Sequence, residues 1–252
     1  MNRAPEIVLD SVGKRASDRP NVWLLEQIKL EIVPRQRLFL VGPNGSGKST
    51  LLRMILGFES VDTGGITVSP PLSELSISYM PQDYRSALFP WFNLSRNLSL
   101  ALKTEVDSSS TTHKLHEFNH LSKLFRLEPS LARYPYELSG GEQQLFLLII
   151  AMIRKPVLLV LDEPFSAIDF GRRQSILTEL GMFLNKEPST VIAVTHDFED
   201  AVLLADRILV LDPKTTAIRE GIDVPFAWPR RPALRNSALF RDLIQKIIEA
   251  TL

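Results

Sequence analysis

A chain that runs Leu38-Phe39-Leu40-Val41, then Gly42-Pro43-Asn44-Gly45-Ser46-Gly47-Lys48-Ser49, then an apolar-periodic stretch to Leu56 has few folds open to it. The four apolar residues read as a short buried strand. From Thr50 on, Leu51, Leu52, Ile55 and Leu56 fall at helical spacing, and Gly57 can close that helix. The eight residues between fit the pattern G-x-x-x-x-G-K-S/T. Strand, glycine-rich turn and helix start bring several backbone N–H groups and a positive helix end around one anion. In this pattern Lys48 reaches the β- and γ-phosphates of a nucleotide, and the Ser49 hydroxyl sits on Mg²⁺. An accidental glycine-rich turn of this form arises in on the order of one per cent of chains this long, and the flanking strand and helix lower that further. Gly42, Pro43, Asn44, Gly45, Ser46, Gly47, Lys48, Ser49 and Thr50 are therefore read as a phosphate cradle.

Bulk properties narrow the partners. The 252 residues are 44% hydrophobic, enough for a sizeable core in one domain or two lobes. Lys plus Arg and Asp plus Glu both total 29, and zero net charge argues against nucleic acid as a partner. There are no cysteines, which excludes disulfides and thiolate-held metals but does not decide the compartment. Met1-Asn2-Arg3-Ala4-Pro5-Glu6 lacks the apolar run of a signal peptide. The longest apolar run, Leu145 to Ile153, is far short of the roughly 18 residues that span a bilayer. The expectation is a soluble, cytoplasmic protein that reaches the inner face of the membrane only through a partner.

Strands are expected at Glu6 to Val12, Trp23 to Ile32, Arg37 to Val41, Ile66 to Val68 and Ile77 to Met80, with a turn at Asp62-Thr63-Gly64-Gly65. From Phe89 to Ile153 the pattern is mostly helical. Within it, Thr104 to Thr112 is polar enough to read as a flexible surface connection. Buried strands return at Val157 to Leu161, Val191 to Thr195 and Arg207 to Leu211, separated by helices at Phe170 to Asn185 and Phe198 to Ala205. Strand alternating with helix implies a parallel sheet covered on both faces. Leu239, Leu243, Ile244, Ile247 and Ile248 mark a final amphipathic helix. No internal repeat is evident.

A phosphate loop needs a metal-side carboxylate and a group that orients water. Leu158-Leu159-Val160-Leu161-Asp162-Glu163 offers both at the end of one buried strand, with Asp162 on the Mg²⁺ side and Glu163 nearer the γ-phosphate. The bland alternative is a strand that merely ends in exposed acids. Leu138-Ser139-Gly140-Gly141-Glu142, taken alone, is an ordinary turn or helix N-cap; its place about twenty residues before Asp162 is what lends it weight.

In this order, Gly42 to Ser49, Gln82, Leu138 to Glu142, Asp162-Glu163, Ser166-Ala167-Ile168-Asp169 and His196 resemble the ATP-binding-cassette (ABC) ATPase family over nearly the whole chain. The resemblance implies an α/β fold: a P-loop NTPase core with a parallel sheet, an antiparallel β subdomain at the N-terminus and an inserted α-helical subdomain. It divides a single ABC domain, 1–252, into a nucleotide-binding core (1–88 and 154–225), a helical signature subdomain (89–153) and a C-terminal extension (226–252). It implies ATP and Mg²⁺ as cofactors, with Ser49, Gln82 and Asp162 on the metal. The catalytic set it implies is Glu163, His196, Gln82 and Lys48. Ser139, Gly140, Gly141 and Glu142 would form a second anion site at a helix start, and Asp169 would communicate across a dimer. One chain cannot aim both anion sites at one γ-phosphate; two chains facing head to tail can. The implied partners are thus a second ABC subunit, membrane permeases and, indirectly, a solute-binding protein.

Pro81-Gln82-Asp83 followed by Leu88-Phe89-Pro90-Trp91, with Tyr134-Pro135 and Pro229-Arg230-Arg231-Pro232, is similar to the nitrate, sulfonate, taurine and bicarbonate importer ATPases. Phe89 and Trp91 then serve either a permease dock or plain core packing. An exporter or lipid-transport ATPase, a soluble non-transport ABC protein and a scaffold without turnover are the competing functions. Three departures from the family stand out. Ala16 occupies the place of an adenine-stacking aromatic, which leaves Trp23 as the alternative platform. Leu145-Phe146-Leu147-Leu148-Ile149-Ile150 is unusually apolar, fit for full burial or a hydrophobic partner. The extra regulatory domain of some sugar importers is not expected after Leu211.

Overall fold

Alternating apolar and polar residues in β1 (Glu6–Arg15) and β2 (Trp23–Ile32) bury one face of each strand and leave the other wet. The computed structural model describes residues 3–251 except 17, 18, 20, 103–107, 128, 129, 213 and 215. β3 (Arg37–Val41) is apolar on both faces and leads into α1 (Lys48–Ile55). β4 (Thr63–Ser69) returns to β1 and completes a three-stranded antiparallel sheet, β2-β1-β4. β5 (Ile77–Met80) starts a second layer and is followed by three helices, α2 (Leu94–Leu102), α3 (Ser108–Leu124) and α4 (Gly140–Ile153). Strand and helix then alternate through β6 (Leu158–Asp162), α5 (Phe170–Lys186), β7 (Thr190–Val194), α6 (Phe198–Leu204) and β8 (Arg207–Asp212). β9 (Ala217–Asp223) and α7 (Ala238–Thr251) complete the fold.

The large sheet has the order β5-β6-β7-β3-β8-β9, parallel throughout except for the antiparallel β8–β9 pair. β6, β7, β3 and β8 are almost wholly buried, as strands covered on both faces must be. One face packs with α1 on the small antiparallel sheet, through Ile7, Leu25, Leu51, Leu52 and Val160. The other face meets α4, α5, α6 and α7, through Phe146, Ile149, Leu180, Val202 and Ile247. The carboxyl ends of β3, β6 and β7 finish side by side, so Gly42, Glu163 and Thr195 all start from one sheet edge. This is where open parallel sheets hold their ligands.

Three local expectations are revised. Asp62-Thr63-Gly64-Gly65 is not a free turn, since β4 begins at Thr63. Gly64, at φ 71°, passes so close to β1 that a Cβ there would lie 2.3 Å from the carbonyl oxygens of Asp10 and Ser11. The glycine permits an irregular strand crossing. Of the polar stretch read as a connection, residues 104–107 lie outside the described residues, but from Ser108 the backbone is already α3. Its helicity comes from packing further along, where Phe118 meets Phe146 of α4 edge-on at 5.6 Å. β9 was not foreseen. Its sequence, Ala217-Ile218-Arg219-Glu220-Gly221-Ile222-Asp223, alternates too weakly to announce an edge strand.

Pro229-Arg230-Arg231-Pro232 has a structural use. Arg230, 4% exposed, donates to the carbonyls of Val202 (3.0 Å) and Ala205 at the end of α6, and to Phe226 O (3.0 Å). A buried guanidinium thus satisfies the carbonyls that a helix terminus leaves unpaired. Arg37 and Arg230 both lie over the Trp228 ring, their guanidinium carbons 3.8 and 4.5 Å from its centroid, and the indole N–H donates to Asp206 at 3.1 Å. The C-terminal segment is fastened to the base of β3 and β8 by this cluster.

Candidate functional site

The glycine-rich turn adopts the shape its composition allows. Gly45 and Gly47 take φ of 81° and 87°, and Gly47 forms the N-cap of α1. A Cβ on Gly47 would also lie 2.8 Å from Leu25, so the turn can approach β2 only with glycine there. The start of α1 therefore points its free N–H groups into a cavity of about 370 Å³. Asn44, Gly45, Gly47, Lys48, Ser49, Thr50, Gln82 and Glu163 line it, together with Leu24 and Val194, which sequence reasoning did not single out. Asn44 also lines a second cleft, together with Gly42, Pro43, His196, Phe198 and Thr251.

Lys48 is 7% exposed, and its ammonium donates to the carbonyls of Gly42 (2.9 Å) and Pro43 (2.8 Å), with Ser46 Oγ at 3.4 Å. Burial lowers its pKa, while Glu163 and Asp162 oppose that shift. Ser49 Oγ donates to Asp162 Oδ1 at 3.1 Å, joining α1 to the end of β6. Burial raises the Asp162 carboxyl above its usual range, against Ser49, Arg53 and Lys48. A buried carboxylate facing a hydroxyl beside a phosphate-shaped turn fits a hard divalent cation. Among the described residues no group of three or more His, Asp or Glu is gathered for a metal. One carboxylate and one hydroxyl side by side are a partial donor set of the kind that Mg²⁺ takes, the rest of its shell coming from water and substrate phosphate.

Glu163 follows directly. Its side chain is largely buried, and Oε2 lies 2.8 Å from Nδ1 of His196, two residues past the end of β7. Desolvation raises the Glu163 pKa, and the imidazole works in the opposite direction. Its backbone is unusual for a non-glycine residue, with φ at 54° in the left-handed region.

Among the described residues, Ser139, Gly140, Gly141, Glu142 and Asp169 do not line the cavity. Ser139 caps α4, and Glu142 Oε2 accepts from both Ser139 N and Ser139 Oγ at 2.8 Å, a reciprocal capping box. These bonds, the backbone one first, hold the Glu142 carboxyl below its usual range. The Tyr84 hydroxyl, two residues after Gln82, lies where a Cβ on Gly140 would stand only 2.6 Å away. Asp169 caps α5 through Arg172 N at 2.9 Å, and Arg172 Nε in turn donates to Phe125 O at the end of α3. Gln144, which sequence reasoning also passed over, is wholly buried and bonds the loop after Glu163. Its signal was present: two glutamines standing just before a run of apolar residues in α4.

Phe89, Trp91 and Phe92 form an aromatic cluster with centroids 5.6 to 6.1 Å apart. Buried Asn97 fixes the turn that carries them, accepting from Phe89 N and donating to the Phe89 and Phe92 carbonyls. Trp91 is 67% exposed, so core packing is not its use. Leu145 to Ile153 packs inward except at half-buried Leu147, the wholly buried option for this helix. Ala16 is buried, and the Arg15 guanidinium covers one face of Trp23 at 4.4 Å; neither Ala16 nor Trp23 lines the cavity. Ser17 and Asp18 lie outside the described residues.

The family described as "ABC transporter" matches residues 25–166, more than half of the chain. The chain is 38% identical over 202 residues to the Fe(3+) ions import ATP-binding protein FbpC of Yersinia pestis, matching 76% of this chain and 56% of that one. It thus spans little more than half the length of those iron-import relatives. The aliphatic sulfonates import ATP-binding protein SsuB of Bacillus subtilis is 34% identical over 230 residues, covering 89% of this chain and 86% of that protein. Two solved folds match at a TM-score of 0.75: an ATP-binding subunit of an ABC transporter (20% identity, 96% of this chain and 99% of that one) and a dimeric ATP-binding cassette bound to ADP and Pi (23%, 88% and 100%). The chain belongs to the ABC transporter ATP-binding family. Among the described residues, no helix is long and apolar enough to cross a membrane.

Proposed function

We propose that this chain hydrolyses ATP as one half of a head-to-tail pair, docked on membrane permeases at the inner face of the membrane, and drives import of a small anion. One observation carries the hydrolytic part: Lys48, Ser49, Gln82 and Glu163 line a single cavity, with Asp162 hydrogen-bonded to Ser49 and His196 to Glu163. In this reading Lys48 leaves its loop carbonyls to bind the β- and γ-phosphates. Ser49, Asp162 and Gln82 hold Mg²⁺, which when bound neutralises charge on the phosphate oxygens. Glu163 takes the proton of the attacking water, and His196 orients its carboxylate. Ser139, Gly140 and Gly141 of one protomer close on the nucleotide of the other, and Asp169 lies between the two sites. For that, Glu142 must give up Ser139.

The anion reading is supported by the sulfonate relative, matched over 86% of its length, and by a sulfate/thiosulfate relative of Chlorella vulgaris, 35% identical and matched over 87%. The 38% identity to iron importers favours iron import as the second reading. Uptake assays with the neighbouring permease and receptor, using radiolabelled sulfonate, sulfate and ferric ion, decide between them. The hydrolytic part is tested by phosphate release from ATP. No release above background with Mg²⁺ present would overturn it, and release that survives a chelator would remove Mg²⁺ from the reading.

Trp91 is proposed to anchor the permease, with Phe89 beside it. Aromatic anchors at interfaces are worth about 2 kcal/mol or more when truncated. Trp91→Ala is expected to keep the melting temperature of the isolated chain within a few degrees and to weaken co-purification with the permease about tenfold or more. An unfolded mutant, or unchanged assembly, would remove Trp91 from the dock.

A further inference from the structure

Glu163 stands in a backbone conformation that a non-glycine residue keeps only when its surroundings fix it. Two groups do so. Its N–H donates to Val194 O of β7 at 3.0 Å, and its carbonyl accepts from Gln144 Nε2 at 2.9 Å. The first bond comes from the sheet. The second comes from α4, the helix that Ser139 caps. Ser166 N approaches the same carbonyl at 3.4 Å, a long contact from the loop that Gln144 itself organises.

Gln144 is fully occupied. It is 0% exposed, its Nε2 also reaches Ser166 Oγ at 3.1 Å, and its Oε1 accepts from Ala167 N at 2.9 Å. One amide thus uses both faces of its donor–acceptor pair on the segment from Glu163 to Ala167. α4 and that segment are also in close contact at Gly141, where a Cβ would lie 2.8 Å from Ala167 O. The side chain and the helix start are therefore both seated directly against that loop. A buried network with every member satisfied specifies one geometry.

We propose that Gln144 is a positioning residue for Glu163: it holds the strained backbone that aims the Glu163 carboxylate into the cavity, and it ties that aim to the start of α4. This rests on the proposed role of Glu163 as general base. It adds a link within one chain between the site that binds its own nucleotide and the helix start proposed to face the other.

The test is kinetic. Gln144→Met keeps the volume and apolar surroundings but removes the donor to Glu163. It is expected to lower kcat about tenfold or more while KM for ATP moves less than about threefold, because the phosphate contacts of α1 are untouched. In a Glu163→Gln background, the same change should alter the residual single-turnover rate by less than about twofold, since residues acting as a unit are not additive. Ser166→Ala, which removes another partner of the same amide but leaves its bond to the Glu163 carbonyl, should lower kcat several-fold less than Gln144→Met does. Circular dichroism and melting temperature check the fold of each variant. Full kcat in Gln144→Met, an equal fall in both backgrounds, or failure of Gln144→Met to fold while Ser166→Ala folds would each overturn the proposal. If Glu163→Gln alone keeps its turnover, the general-base reading itself is at fault, and the two failures are distinguishable.

Discussion

Glu163→Gln should reduce ATP turnover about 10²–10⁴-fold while leaving ATP affinity near that of the unaltered chain, the range a positioned general base contributes. The amide keeps the size of the side chain and can still bond His196, but it cannot accept the proton of water. With binding intact and hydrolysis stopped, the ATP-bound pair should accumulate as a stable dimer, visible by size-exclusion chromatography with ATP. Turnover within two- or threefold of the original would remove Glu163 from this role. The pH profile offers a second reading of the same group. Burial raises the Glu163 carboxyl pKa above its ordinary value of 4.5, and a base must be ionised to work. As pH falls, kcat should therefore decline at a pH above the ordinary glutamate range. The acid limb should vanish from the residual rate of Glu163→Gln.

The second large effect is expected from mixing two inactive chains. Lys48→Ala removes the ammonium that the phosphate loop holds, and Ser139→Arg blocks the capped start of α4 with a long side chain. Alone, each variant should fall to background hydrolysis. In a head-to-tail pair that combines them, one composite site keeps both an intact Lys48 and an intact Ser139. Mixed dimers should then recover up to about half the activity per site, measured as phosphate release against the mixing ratio. Mixtures that demonstrably form mixed dimers and recover nothing would count against a shared site. Ser139 and Gly140 sit outside the cavity that Lys48 lines, so a single chain does not bring the two to one phosphate.

What sequence could and could not reveal follows from the range of each interaction. The phosphate loop was legible because its requirements are local: left-handed backbone at Gly45 and Gly47, a strand before and a helix after. Asp162 and Glu163 were legible by their place at the end of a buried apolar strand. Gln144 was not singled out, because its importance lies in a carbonyl 19 positions away and in the φ of another residue. Gly64 was misread for a similar reason. A glycine chosen for the close approach of a distant strand looks, in sequence, like one chosen for a turn. The helix at Ser108–Leu124 was partly hidden by a run of hydroxyl residues that read as loop, while its support comes from Phe146 in another helix. The double Arg in Pro229-Arg230-Arg231-Pro232 was noticed as a family resemblance, yet its physical use, closing the end of α6, appears only in three dimensions.

The placement of β3 also bears on how this protein is made. The small sheet pairs strands that are near in sequence, and β1, β2 and β4 can assemble while the rest is still being synthesised. β3 cannot. Its Leu38 pairs with Ile192 on one side and Arg207 on the other, and Arg37 N finds Asp206 169 positions later. Until β7 and β8 emerge, the strand that carries the phosphate loop has both edges bare. Contacts of such long separation fold slowly and expose strand edges to aggregation while they wait. The nucleotide site thus becomes competent only after β7 and β8 have been made, and a nascent chain that has not yet delivered β8 has no finished cradle for ATP to stabilise.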